Sequence, residues 1–83
     1  MGNEPGSYTE NPLWRWRIAN RRDAREVEAG AGLPRGRLQS LELGAAAPGP
    51  GELRRLVRLT GITDLEARWA AWRAQRAQPP AAS

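Results

Sequence analysis

The sequence predicts an all-α fold, a compact bundle of five short helices in one small domain of an 83-residue chain. Apolar residues recur three and four positions apart, as in Leu53, Leu56 and Val57, which is the spacing of one helical face. Helix start and stop signals bracket these stretches, for example Asp23 before one of them and Gly61 after another. Segments rich in glycine and proline separate the stretches, so helices joined by turns account for the whole pattern.

The domain is predicted to span residues 12–77, between a flexible N-terminal arm at 1–11 and a flexible C-terminal tail at 78–83. Both ends combine small, polar and proline residues without periodicity. The first helix is expected to begin near Pro12, because proline is tolerated in a first turn. It carries Leu13, Trp14, Trp16, Arg17 and Ile18.

The next two helices are predicted within Ala24 to Gly44, joined by a glycine-bearing turn in the layout of a helix-turn-helix. Asp23 can cap the second helix, and Gly32 gives the permissive backbone after its end. The third helix is expected from about Arg35 to Leu43, because Pro34 precedes it. The inner face of this pair would carry Val27, Ala31, Leu33, Leu38 and Leu41.

A loop at residues 45–51 is expected before a fourth helix that starts near Glu52 and stops at Gly61. A fifth helix would run to about Ala77, with a stripe formed by Leu65, Trp69, Trp72 and Arg76. The stripe is open to three interpretations: core, a subunit interface formed by Leu65, Trp69 and Trp72, or contact with a membrane surface.

Composition excludes several function classes. The chain has no cysteine and no histidine, so thiol nucleophiles and the usual metal ligands are missing, and no cofactor, metal or enzyme activity is expected. All 13 basic residues are arginine, against 9 acidic residues, a net charge of +4. Arginine suits an anionic partner, although a genome rich in G and C gives the same bias. With no signal-like N-terminus or long apolar run, the expectation is a cytoplasmic protein without membrane contact.

Residues 13 to 66 resemble the DNA-binding domain of the phage-repressor and Cro-like (Xre-type) helix-turn-helix family, and the resemblance implies a lambda-repressor-like fold. The order and spacing of the matching residues carry this resemblance. They are Arg17, Glu26, Val27, Ala31, Gly32, Leu33, Leu38, Glu42, Gly44, Leu53, Leu56, Gly61 and Ile62.

The resemblance implies that the third helix enters the major groove of double-stranded DNA. Base contacts would come from Arg35, Gly36, Arg37, Gln39 and Ser40, with Arg35 and Gln39 as the main readers of guanine and adenine. Arg37 could reach a base or a phosphate. Gly36, which has no side chain, would either let the backbone come close to the DNA or leave one base pair without a contact. Phosphate contacts would come from Arg21, Arg22 and Arg25. Arg17 and Glu42 would form a structural ion pair that holds the third helix against the first.

Two departures from the family pattern affect this prediction. Asn20, Arg21 and Arg22 replace the usual Gly-Leu pair, and Glu28 occupies a position normally held by a small residue. The fold could accommodate these departures in two ways: Arg22 and Glu28 neutralise each other, or the helices pack more loosely. Gly30 within the second helix costs about 1 kcal/mol relative to alanine and favours the looser alternative.

The predicted function is that of a sequence-specific, DNA-binding transcriptional regulator, a repressor of phage, plasmid or toxin–antitoxin type. It would bind a near-palindromic operator as a homodimer, with its two recognition helices one duplex turn apart, and associate with the nucleoid. The alternative is a protein-interaction adaptor that keeps the helix-turn-helix fold and binds a protein partner instead of DNA.

Overall fold

The computed structural model describes residues 10–77, and within this range the chain forms five α-helices, as the sequence predicts. The predicted tail at 78–83 and most of the predicted arm at 1–11 lie outside the described residues. The helices are α1 (Pro12–Ala19), α2 (Ala24–Ala31), α3 (Arg37–Leu43), α4 (Pro50–Thr60) and α5 (Leu65–Ala77).

Asn11 belongs to the domain, although the sequence places it in the arm. Its side chain is fully buried. The Oδ1 atom accepts hydrogen bonds from the backbone N–H groups of Leu13 (2.8 Å) and Trp14 (3.1 Å). Asn11 is therefore the N-cap of α1, and it gives two donors of the first turn a partner.

Helix α2 has the ends that the sequence predicts. The carboxylate of Asp23 accepts from the N–H of Glu26 at 3.0 Å, and the Glu26 carboxylate accepts from the N–H of Asp23 at 3.1 Å. This reciprocal pair is a capping box. Gly32 follows the helix at φ 65°, where a side chain would be strained.

Helix α3 begins at Arg37, two residues later than predicted. Residues 34–37 form a turn in which the N–H of Arg37 donates to the carbonyl of Pro34 at 3.0 Å. Gly36 sits at φ 85°, ψ −11°, the geometry of the third residue of a type II turn. The proline thus initiates a turn, and Gly36 supplies the positive φ that this turn requires.

Helix α4 begins at Pro50 instead of near Glu52, so the last two residues of the predicted loop are helical. Proline fits the first position of a helix because its missing N–H has no intrahelical acceptor there. Glu52 is then the third residue, and its carboxylate accepts from the N–H of Gly49 at 2.9 Å. Gly61 ends the helix at φ 76°, as predicted.

One hydrophobic core receives residues from all five helices. Helix α1 packs on α3 and α5, α2 packs on α3 and α4, and α4 packs on α5. The buried apolar side chains of this core are Leu13, Val27, Ala31, Leu33, Leu38, Leu41, Leu56, Leu65, Trp69 and Trp72.

The apolar residues of the stripe on α5 belong to the core, which is one of the three interpretations that the sequence left open. Leu65 is fully buried, and Trp69 and Trp72 are only 7% and 4% exposed within a single chain. Their rings contact each other with centroids 5.9 Å apart and planes tilted by 59°. Side chains covered by their own chain are not available to a second copy or to a membrane surface. None of the helices over residues 10–77 has the length and apolarity that crossing a bilayer requires.

Gly30 marks a close approach between helices and not loose packing. A Cβ atom built at this position would lie 3.2 Å from Cδ1 of Leu59 on α4. Glycine thereby lets α2 and α4 approach, which offsets its lower helix propensity.

Candidate nucleic-acid interface

The inner side of α3 is fixed in the core by both apolar and polar contacts. Leu38 and Leu41 are fully buried. The carbonyl of Leu41 accepts from Nδ2 of Asn11 at 3.1 Å and from Nε1 of Trp69 at 2.9 Å. Carbonyls in the last turn of a helix have no intrahelical partner, so these two bonds satisfy this one and tie α3 to both α1 and α5.

The predicted ion pair of Arg17 and Glu42 is confirmed. Nε and Nη2 of Arg17 donate to the two carboxylate oxygens of Glu42 at 2.8 and 3.0 Å, and both side chains are largely covered. The hydrogen bond that Arg17 donates to the Glu42 carboxylate raises the pKa of Arg17. Two parallel hydrogen bonds fix the orientation of both groups. The pair therefore sets the position of α3 relative to α1.

Glu28 caps α3, so the predicted neutralisation of Glu28 by Arg22 was wrong. The Glu28 side chain is buried, and its Oε2 accepts from the N–H of Leu38 at 3.1 Å. Gly36 has no side chain with which to cap the helix, and Glu28 supplies the acceptor from α2. A carboxylate at this end also interacts favourably with the helix dipole. Arg22 instead lies on the surface, 3.9 Å from Glu26.

Arg37 is held by α4 and by the loop that precedes it. Its Nε and Nη2 both donate to the carboxylate of Glu52 at 2.8 Å, and Nη2 also donates to the carbonyl of Ala47 at 3.1 Å. The hydrogen bond from Arg37, followed by that from Gly49, lowers the pKa of Glu52 from 4.5 to about 2. Arg37 therefore connects the first turn of α3 to α4.

This contact predicts a pH-dependent difference between the wild type and Glu52→Gln. Because folding lowers the pKa of Glu52, the carboxylate contributes stability above pH 4.5, and that contribution is lost as the pH falls toward 2. The variant should be less stable than the wild type at pH 7, and the gap should close between pH 4.5 and 2. Urea unfolding at a series of pH values measures it. Arg37→Met should also be less stable than the wild type at pH 7, and this difference should close over the same pH range. If the difference from the wild type stays constant with pH for both variants, the contact is contradicted.

The outward side of α3 and its preceding turn stays uncovered by the rest of the described chain. Arg35, Gly36 and Gln39 are exposed, and Ser40 is half-buried. A Cβ at Gly36 would meet no atom within 4 Å. Four of the five predicted base-contact residues thus lie in or beside an open face, and Arg37 is the one whose guanidinium is engaged within the domain.

The predicted phosphate-contact residues surround the start of α2. Arg21 and Arg22 are exposed in the connection before α2, and Arg25 is exposed in its first turn. Among residues 10–77, no ion pair involves Arg21 or Arg25. Arg21 has φ 54°, a left-handed conformation that residues with a side chain rarely adopt.

Sequence reasoning missed two anchoring residues and one surface residue. Glu28 stood out only as a charge where the family resemblance implies a small residue, and the lack of a capping side chain at Gly36 was the signal for its role. Glu52 was recognised as a helix start and not as the partner of Arg37, since 15 residues separate them. Leu43, in the last turn of α3, is 40% exposed, and the sequence prediction assigned it no role.

Comparisons of the chain with protein-family models, curated proteins and solved structures find no match. The family resemblance of residues 13 to 66 therefore stays a prediction from the sequence.

Proposed function

We propose that this protein is a sequence-specific DNA-binding regulator that inserts α3 into the major groove. The observation that carries the proposal is the difference between the two sides of α3. Its inner side is fixed by Glu28, Glu42, Leu41 and Arg37, whereas its outward side is open. Rigid mounting of an exposed helix is what reading base edges requires, because bidentate contacts depend on fixed geometry.

The arrangement of charges supports the same proposal. Arg35, Arg21 and Arg25 are exposed and have no ion pair among the described residues, whereas the carboxylates of Glu28 and Glu42 are buried and engaged. Asp23 and Glu26 are also exposed near the start of α2, so the exposed charge around α2 and α3 has a modest positive excess. In the proposed complex Arg35 contacts a guanine, Gln39 contacts an adenine, and Arg21 and Arg25 contact phosphates.

A homodimer on a near-palindromic operator remains part of the proposal, but its interface cannot be the apolar stripe on α5. One copy presents a small surface to the duplex, and two copies on adjacent half-sites would add the affinity that a repressor needs. Burial of Trp69 and Trp72 within one chain removes the stripe on α5 from that role. The dimer would therefore use a surface outside the core.

The test is to select bound duplexes from a random pool and then to compare variants on the selected site. Arg35→Ala should relax the preference at one base position and weaken binding there by about 1–3 kcal/mol. Arg21→Ala should weaken all duplexes evenly and reduce the salt dependence by about one phosphate contact. Arg58→Ala is the matched control, because it removes an exposed arginine from α4 and should change neither property.

Two results would overturn the proposal. One is the absence of any selected sequence together with a flat salt dependence, which would favour a protein-interaction adaptor. The other is an equal loss in the Arg35 and Arg58 variants, because a non-specific charge effect would then explain the binding.

A further inference from the structure

Leu43 is one of two large apolar side chains exposed among residues 10–77, at 40%, the other being Ile18 at 48%. It lies in the last turn of α3, while Leu38 and Leu41 of the same helix are fully buried. Two leucines of α3 thus build the core, and the third points away from it.

Helical spacing places Leu43 on the proposed reading face. Leu38, Leu41 and Glu42 define the buried side of α3. Each residue advances by about 100° around a helix, so Leu43 lies nearly opposite that side. It follows Gln39 by four residues and Ser40 by three, the separations at which helical side chains are neighbours. A duplex that contacts Gln39 and Ser40 would therefore contact Leu43 as well.

We propose that Leu43 is a specificity residue that contacts the C5-methyl group of a thymine in the major groove. This inference rests on the proposed DNA-binding function and deepens it. Leucine cannot form a hydrogen bond to a phosphate or a base edge, and the thymine methyl is the apolar group that the major groove presents. The partner that binds this face is expected to be a polyanion, because Arg35 before α3 and Arg25 on α2 are both exposed. The operator would thus contain an A·T pair beyond the bases read by Arg35 and Gln39.

The experiment replaces each thymine of the selected duplex in turn by deoxyuridine, which removes only the methyl group. At one position in each half-site, the wild type should bind the substituted duplex roughly fourfold more weakly, the effect of one methyl-sized apolar group. Leu43→Ala should bind the original duplex more weakly by a similar factor and should not respond to that substitution. Leu43→Met, which keeps an apolar side chain, should retain most of the response.

Ile18→Ala is the matched control, since it shortens the other exposed apolar side chain on a different helix, and its response to deoxyuridine should equal that of the wild type. A Leu43→Ala protein that still responds at every position would overturn the inference and leave the proposed function intact. A drop in the sedimenting mass of Leu43→Ala with an unchanged deoxyuridine response would also overturn it, because the face would then join two copies. Failure of the wild type to select any duplex would overturn the proposed function itself.

Discussion

Replacing Trp69 by alanine is expected to destabilise the folded chain strongly, not to dissociate a folded dimer. The indole is 7% exposed, packs against Trp72 and donates a 2.9 Å hydrogen bond to the carbonyl of Leu41. Loss of a buried tryptophan costs about 3–5 kcal/mol. A domain of this size has a free energy of unfolding of about 4–12 kcal/mol, so this loss removes between about a quarter and all of it. Circular dichroism with urea titration measures the loss.

Trp69→Phe separates packing from the hydrogen bond. It keeps an aromatic ring, and the Leu41 carbonyl retains its bond from Asn11. The expected cost is about 1–3 kcal/mol, with the fold preserved. Sedimentation of the alanine variant gives the decisive contrast. A folded Trp69→Ala protein with a halved mass would show that the tryptophan joins two subunits, contrary to its burial within one chain.

Local signals account for the parts of the fold that the sequence predicted. The number and order of helices, the Asp23 cap and the glycines after α2 and α4 depend on residues within a few positions of one another. The start of α3 was missed because proline begins both helices and turns. Gly36 lies two residues after this proline and adopts the positive φ of a type II turn, so the chain forms a turn there and not the start of a helix.

Contacts between distant residues explain what the sequence did not reveal about the candidate site. The pair of Arg17 and Glu42 was predicted through a family resemblance, whereas Glu28 with Leu38 and Arg37 with Glu52 have no local signature. Periodicity showed that Trp69 lies on an apolar stripe. It cannot distinguish a stripe covered by the same chain from one covered by a second copy, because both need the same spacing.

Gly44→Ala is expected to destabilise the domain by about 2–5 kcal/mol, because two penalties combine at this position. Gly44 ends α3 at φ 77°, a left-handed conformation that costs a residue with a side chain about 1–2 kcal/mol. A Cβ atom there would also lie 3.0 Å from Cη2 of Trp72 and 3.1 Å from Cδ of Arg73. Overpacking against a buried ring adds about 1–3 kcal/mol.

Gly61→Ala provides the control for this prediction, because the two glycines share a backbone conformation and differ in their surroundings. Gly61 ends α4 at φ 76°, and a Cβ atom there would meet no atom within 4 Å. Its replacement should cost only the backbone penalty of about 1–2 kcal/mol. Urea unfolding of both variants yields the difference, which isolates the contact between Gly44 and Trp72. Equal losses would mean that the ring does not abut the end of α3, and the junction of α3 with α5 would then differ from the one described.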